Sequence, residues 1–204
     1  MPSNPLLIND FSLVRNDRVI LKSNNKYFRG GGLAFYVHNS IDFKVLDESN
    51  NLCINDIEYI LFEININNQK FLFCLIYRRP GGTFFYQFSK ILHDYINKYD
   101  EIILLGDLNC DYCVNRSDTL QLKLFLNEFS LQVIPTGPSF KYKNNKKSWL
   151  DFVITNSSNL IKSYTNTSTP FHLQHDMISC NLEFKKKKSS SVSCFYKLSQ
   201  LEKL

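Results

Sequence analysis

Long apolar runs and targeting signals are missing from this sequence. No apolar run approaches the roughly 18 residues that a membrane-spanning helix needs, so no transmembrane segment is predicted. The first residues, MPSNPLLINDF, contain neither a basic segment nor a long apolar core, so no secretory signal peptide is predicted. The sequence therefore predicts an intracellular protein, in the nucleus or the cytoplasm, that does not contact a membrane.

A second pair of metal-binding cysteines is also lacking. Six cysteines are present, and Cys110 and Cys113 form a single C-x-x-C pattern. A structural zinc site needs more ligands than one such pair supplies, and no thioredoxin-like unit surrounds it, so metal or redox use is the weaker alternative. Without a signal peptide, reduced thiols are expected. Cys74, inside the apolar run FLFCLIY, is expected to be a small buried hydrophobe.

The composition is that of one globular domain with a mildly basic surface. The chain has 204 residues, of which 44% are hydrophobic and 14% aromatic, which excludes a disordered or collagen-like chain. The net charge of +5 fits a polyanionic partner without requiring one. A basic and serine-rich segment, 185–204, is predicted to be a solvated tail. A nuclear-localisation or nucleic-acid-binding segment is its alternative interpretation.

Extended and helical patterns alternate along the chain. Two strong strand patterns flank Asn67-Asn68, which predicts an antiparallel hairpin. Apolar residues recur at helical spacing in two segments, and the second helix is expected to be capped by Asp118 or Thr119. This order predicts an α/β layered domain with mixed sheets and no internal repeat. The predicted strands are 31–39, 57–65, 70–77, 101–107, 149–156 and 177–184, and the predicted helices are 83–100 and 118–131.

Polar residues stand where several predicted strands end. Tyr77 and Arg78 follow one strand, and Asp107 and Asn109 follow the buried run IILL. Asp151 lies inside an apolar strand, whereas His175 precedes the last one. Each has a structural alternative: an Asx-type turn for Asp107 and Asn109, a satisfied buried carboxylate for Asp151, an edge aromatic for Tyr77, and a surface imidazole for His175.

Taken together, these residue types favour phosphodiester hydrolysis. A histidine is a candidate base for water, and a carboxylate can orient that water or bind a metal. Mg²⁺ prefers such hard oxygen ligands. If the chain stays extended past Asp107, the side chains of Asp107 and Asn109 should project to the same side. Asp176, next to His175, should then point to the opposite side.

Eight short segments, in this order, resemble one known family. The sequence is similar to the endonuclease/exonuclease/phosphatase (DNase I-like) superfamily, and within it to the endonuclease domain of non-LTR (LINE-type) retrotransposons. The resemblance runs from about residue 11 to residue 184. The matching segments are LVRNDR (13–18), RGGGLAFYV (29–37), IEYILFEI (57–64), LIYRRPGG (75–82), ILLGDLN (103–109), PTGPSF (135–140), SWLDFVITN (148–156) and QHDMI (174–178).

The resemblance implies a fold, a reaction and a set of roles. The fold would be a four-layer α/β sandwich, with two mixed sheets packed face to face and helices outside, spanning residues 1–184. The reaction would be Mg²⁺-dependent nicking of DNA, with a reverse transcriptase region of the same element as a partner. The implied roles are water activation by Asp107, phosphate binding by Asn109 and Tyr77, a base or phosphate-polarising role for His175, support from Asp151, and a position near the DNA backbone for Arg78.

Two departures from the family pattern predict weak or absent activity. The family domain begins with strands that end in an asparagine and in a metal-binding glutamate. Neither is found here, so the resemblance implies a domain without its N-terminal strands and with no known metal ligand. The family's Ser-Asp-His is Leu-Gln-His here, so Gln174 replaces the aspartate expected to orient His175. Loss of such a carboxylate costs orders of magnitude in related triads.

Three functions therefore remain open on the sequence. The first is a DNA-nicking endonuclease. The second is a catalytically inactive fragment that binds nucleic acid through KYKNNKK (141–147) and KKKK (185–188). The third is a phosphatase of small phosphate esters, because one fold serves many substrates.

Overall fold

The computed structural model describes residues 7–18, 22–23, 26–27, 32–50, 57–67, 69–82, 85–169, 174–184 and 191–196. In chain order its elements are β1 (Phe11–Asn16), β2 (Lys22–Ser23), β3 (Lys26–Tyr27), β4 (Leu33–His38), β5 (Asp42–Glu48), β6 (Glu58–Ile66), β7 (Gln69–Tyr77), α1 (Tyr86–Ile96), β8 (Glu101–Asp107), α2 (Ser117–Glu128), β9 (Gln132–Val133), β10 (Phe140–Lys141), β11 (Lys147–Ser148), β12 (Asp151–Thr155), a 3₁₀ turn (Ser158–Leu160), β13 (Ile161–Thr167), β14 (Met177–Glu183) and β15 (Ser191–Tyr196).

A six-stranded mixed sheet forms the centre of the domain. Its strand order is β5-β6-β7-β8-β12-β9, in which only β7 and β8 run parallel. The predicted hairpin of β6 and β7 is confirmed, and Asn67 turns it with a left-handed φ of 55°. Helix α1 supplies the crossover that a parallel pair requires. The apolar run of β8 is buried on both faces, as its lack of alternation predicts.

Two apolar cores cover the two faces of this sheet. On one face, α1 and α2 pack through buried side chains such as Phe88, Leu92 and Phe125. The other face packs against a second β layer, which contributes Leu33 from β4 and Ile178 from β14. The predicted α/β architecture, with packed β layers and helices outside, is confirmed. In the described part of the chain, the second layer contains the antiparallel pair β1-β4 and the antiparallel three-stranded sheet β13-β14-β15, and both helices lie on the outer face of the large sheet.

The structure also bears on the predicted tail, cysteines and membrane contact. Ser191–Tyr196, placed in the tail by the sequence, form β15 and pair with β14, so the sheet continues past residue 184. The 185–188 run lies outside the described residues. Cys74 is buried as predicted, and Cys110 and Cys113 are free thiols. Burial raises the pKa of Cys110 to about 12, which disfavours thiolate chemistry. Neither described helix is long and apolar enough to cross a membrane.

Candidate active site at the end of the central strands

Four polar residues stand in one row across the central sheet. Glu58 on β6 is opposite Tyr77 on β7, Tyr77 is beside Asp107 on β8, and Asp107 is opposite Asp151 on β12. Neighbours in register on adjacent strands place their side chains on the same face. This face is the one that packs against the second β layer, as the inward side chain of Tyr77 indicates. The row therefore lies at the ends of these four strands, on the face toward the second β layer.

Close packing of β7 and β8 requires the glycine that precedes Asp107. A Cβ atom at Gly106 would overlap the backbone carbonyl oxygen of Ile76. Asp107 then ends the strand with a turn, because its Oδ1 accepts a hydrogen bond of 2.9 Å from the backbone N–H of Asn109. Asn109 has a left-handed φ of 47°, so the chain is not extended here. The expectation of two side chains projecting from one extended strand is wrong, and the Asx-type turn is confirmed.

The turn, and not an extended strand, sets the positions of the Asp107 and Asn109 side chains. The side-chain amide of Asn109 donates to the backbone carbonyl of Arg78 at 2.8 Å, which ties the end of β8 to the end of β7. This bond uses one of the two N–H groups that the amide carries. Asp107 is 5% exposed, so its carboxylate lies at the base of the site rather than on its rim.

Asp151 binds the imidazole of His175. Its Oδ2 lies 2.8 Å from His175 Nδ1 and also accepts a hydrogen bond of 2.5 Å from Ser139 Oγ. Asp151 Oδ1 is buried and has no hydrogen-bond partner among the described residues. A carboxylate at Nδ1 places a proton on that nitrogen and turns Nε2 away from Asp151. A base oriented in this way meets the geometric requirement for proton transfer.

The expected loss of an acidic partner for His175 is therefore corrected. The carboxylate beside the imidazole comes from β12, 24 positions before the histidine, and not from position 174. Gln174 is exposed, and its backbone carbonyl accepts a hydrogen bond from the N–H of Lys141. Asp176 binds Lys141 Nζ at 2.8 Å, away from the imidazole, as expected. The residue next to His175 in the sequence, Gln174, does not identify its partner, because the pairing of His175 with Asp151 depends on the fold.

Two further residues hold this pair in place, and sequence reasoning did not single them out. Ser139 is fully buried, and its Oγ also accepts a hydrogen bond of 3.1 Å from the Asp151 N–H. Phe140 forms an isolated β-bridge with His175 and packs edge-on against its ring at 4.8 Å. Both lie in PTGPSF, a segment that the resemblance already marks. The motif was the available signal, but the roles of its residues depend on tertiary contacts.

Burial and mutual charges shift the pKa values in this cluster. Burial, followed by the negative charge of Asp151, raises the pKa of Asp107 to about 7, although the hydrogen bond from Asn109 and the charge of His175 oppose this. Burial lowers the pKa of His175, but the hydrogen bond and charge of Asp151 outweigh it, and its pKa is above the ordinary value. Perturbed pKa values of this kind are typical of functional sites, where side chains gain and lose protons.

Tyr77 and Arg78 take different positions relative to the site. Tyr77 is half-buried beside Asp107, and burial and the charge of Asp107 raise its phenol pKa. Arg78 is only 3% exposed, and its guanidinium donates to the carbonyl oxygens of Leu108 and Gly82. Its side chain therefore holds the surrounding loops, and the expected position of Arg78 near a DNA backbone stays a prediction.

Asp107, Asp151 and His175 form a possible metal-binding group. One ligand atom of each lies within 4.8 Å of the others. Two carboxylates, one of which has an unpartnered buried oxygen, match the preference of Mg²⁺ for oxygen ligands, with water completing its shell. Without a cation, burial and the negative charge of Asp151 raise the pKa of Asp107, which favours its protonated form. These residues therefore fit a divalent cation, and a cation and that proton would compete for the same place.

Comparison with known proteins gives one family and several solved structures. A family model described as "Endonuclease-reverse transcriptase" matches residues 71–179, more than half of the chain. No curated protein matches significantly.

Among solved structures, the endonuclease domain of TRAS1, a telomere-specific non-LTR retrotransposon, has 15% identity and a TM-score of 0.63, with 86% of this chain and 79% of that chain covered. An endonuclease/exonuclease/phosphatase family protein from Leptotrichia buccalis has 17% identity and a TM-score of 0.63, with 86% and 72% covered. A 3′ phosphatase from Neisseria, bound to a product DNA hairpin, has 10% identity and a TM-score of 0.54, with 86% and 80% covered. These proteins share the fold of this chain.

Proposed function

Since the chain belongs to the endonuclease-reverse transcriptase family, within the endonuclease/exonuclease/phosphatase superfamily, we propose that it is a metal-dependent phosphodiesterase that nicks DNA, as the endonuclease of a non-LTR retrotransposon. The observation that carries this proposal is the cluster of Asp107, Asp151 and His175 at the end of the central strands. The Asp151–His175 pair also supplies the acidic partner of His175 that the sequence, with Gln174 next to the histidine, was expected to lack.

His175 and Asp151 act as one unit in this proposal. Asp151 keeps the imidazole in a single orientation and tautomer, so that Nε2 faces the reacting phosphate. Nε2 takes a proton from the attacking water when neutral, or donates a hydrogen bond to a phosphate oxygen when protonated. Ser139 and Phe140 limit the movement of both groups, which keeps the geometry ready before substrate binds.

Asp107, Asn109 and Tyr77 complete the site. Asp107 orients the attacking water at the base of the site. The second N–H of the Asn109 amide donates to the scissile phosphate, while the first remains on the carbonyl of Arg78. The phenol of Tyr77, adjacent to Asp107 in the row, contacts a phosphate oxygen. Mg²⁺ held by Asp107 and Asp151 would neutralise charge that develops on the phosphate oxygens.

A basic hairpin beside the site favours DNA as the substrate. Strands β10 and β11 form this hairpin, which begins at Phe140 against His175. Lys143, Lys146 and Lys147 are exposed on it. Lysines so close to the reacting groups would neutralise backbone phosphates and release counterions, which makes binding weaken steeply with salt. We further propose that a reverse transcriptase region of the same element uses the nicked product.

Plasmid nicking tests the proposal. Supercoiled DNA should become open circles with Mg²⁺ but not with EDTA, and His175→Ala and Asp107→Ala should each abolish the conversion. A 3′-phosphorylated oligonucleotide in the same buffer tests the phosphatase alternative. Release of inorganic phosphate without nicking would replace the proposal with a phosphatase. Salt-sensitive DNA binding with neither reaction would replace it with a nucleic-acid-binding function, which the basic hairpin alone also favours.

A further inference from the structure

A buried ion pair stands at the other end of the polar row. The guanidinium of Arg18 donates to Glu58 Oε1 through Nε at 2.6 Å and through a second N–H group. The second carboxylate oxygen, Oε2, accepts a hydrogen bond of 2.7 Å from the backbone N–H of Gly32. The two side chains are only 7% and 11% exposed. Burial of two charges costs free energy that their attraction offsets only when the geometry is good. A buried ion pair is therefore weak evidence for a purely stabilising role.

The backbone around Gly32 is shaped for this contact. Gly32 has a left-handed φ of 92°, and a Cβ atom there would lie 3.0 Å from the carbonyl oxygen of Asn16. A side chain at this position would therefore strain the turn that presents the N–H to Glu58. With both oxygens of Glu58 bound, the carboxylate is fixed, and it fixes the guanidinium in turn.

The fixed guanidinium faces Tyr77. Arg18 Cζ lies 5.8 Å from the centre of the Tyr77 ring, within the range of a cation–π interaction. Glu58 and Tyr77 are directly opposite on β6 and β7, so all three groups meet at one level of the sheet.

We propose that Arg18, held by Glu58, is a positioning residue that fixes the phenol of Tyr77 in the orientation in which it contacts the substrate phosphate. This inference rests on the proposed function for its consequence, but the contact itself can be measured without DNA. Arg18 acts through Tyr77 and does not bind the reacting phosphate.

The variant Arg18→Gln/Glu58→Gln tests the proposal. It removes both charges together and keeps amide hydrogen bonds, so no charge is left buried alone; a thermal melt confirms folding. If Arg18 acts through Tyr77, single-turnover cleavage falls about tenfold. The triple variant that also carries Tyr77→Phe should then cleave DNA no more slowly than Tyr77→Phe alone. Losses that multiply, or a variant as fast as the wild type, would overturn the proposal.

The matched control is Arg15→Gln/Asp17→Asn. Arg15 and Asp17 form an ion pair of the same type in the same segment, with an N–O distance of 2.8 Å, but they are more exposed and lie outside the row. This control should cleave DNA at the wild-type rate. A loss equal to that of the Arg18 and Glu58 variant would overturn the proposal, because any disturbance of the segment would then suffice.

The ¹⁹F spectrum separates this inference from the proposed function. With 3-fluorotyrosine incorporated, the ¹⁹F resonance of residue 77 is assigned by its absence in Tyr77→Phe. Its chemical shift should move in Arg18→Gln/Glu58→Gln, because the guanidinium beside the ring is lost, and stay constant in the control. An unchanged chemical shift would overturn the positioning role even if the protein nicks DNA. A changed chemical shift in a protein that does not nick would support the contact and reject only the proposed function.

Discussion

Asp151→Asn is the substitution that separates the Asp151–His175 pair from the rest of the site with the least change in shape. Asparagine keeps the size of the side chain but loses its charge, and one acceptor oxygen becomes a donor. His175 Nδ1 loses its charged partner, and Asp107 loses the like charge that helps to raise its pKa. The pKa values of His175 and Asp107 should therefore both fall.

The expected loss of activity follows from the strength of one bond. A hydrogen bond to a charged group contributes about 1.5–3 kcal/mol. The side chains of Asp151 and His175 are only 3% and 11% exposed, so solvent screens this bond weakly. If its whole contribution acts in the transition state, Asp151→Asn slows cleavage roughly 10- to 150-fold. A wrong imidazole tautomer would increase the loss beyond this range.

The assay is single-turnover cleavage of a DNA duplex in Mg²⁺ across the pH range in which histidine titrates. NMR of labelled histidine gives the pKa of His175 in the same samples. Asp176→Asn is the matched control, because Asp176 adjoins His175 in sequence but binds Lys141 at 2.8 Å. The control should stay within a few-fold of the wild type. Equal losses in the two variants, or an unchanged pKa of His175 in Asp151→Asn, would refute the reasoning.

Three further predictions concern stability. From about pH 4 to 7, the folded protein holds a proton on Asp107 that the unfolded chain has released. The free energy of unfolding should therefore fall by a few kcal/mol as pH rises through this window, which denaturant titrations measure. Asp107→Asn should flatten this pH profile. Gly106→Ala should cost more than about 3 kcal/mol in thermal or denaturant unfolding, because its Cβ overlaps the carbonyl of Ile76; a cost below about 1 kcal/mol would contradict the close approach of β7 and β8. Ser139→Ala should cost about 1–3 kcal/mol and also slow cleavage, since Asp151 loses a buried donor; a variant with wild-type stability and rate would contradict its role.

Local patterns in the sequence were enough to predict much of the fold. Period-two and all-apolar runs predicted β6, β7 and β8, and helical spacing predicted α1 and α2. Helix ends were less accurate. Asp118 and Thr119 were expected to cap α2, but the helix begins at Ser117 and Arg116 occupies the cap position without a side-chain hydrogen bond. Propensity at a helix end is weak compared with the tertiary contacts that fix where the chain turns.

The site was predictable as a set of residues but not as a set of contacts. Asp107, Asp151 and His175 were identified from residue type and position relative to strands, and the structure brings them together. Their pairing depends on the antiparallel register of β8 and β12, which no short pattern encodes. The ion pair of Arg18 and Glu58 joins positions 40 residues apart, so it too is visible only after folding.

Binding of Mn²⁺ followed by NMR is the measurement that most directly tests the central claim, that Asp107, Asp151 and His175 form one metal-dependent hydrolytic site. The paramagnetic ion should broaden the ring resonances of His175, and Mg²⁺ should restore them. Asp107→Asn/Asp151→Asn should remove both the broadening and the cleavage. Metal-dependent nicking by a protein whose His175 resonances stay sharp in Mn²⁺ would contradict the claim and place the cation elsewhere.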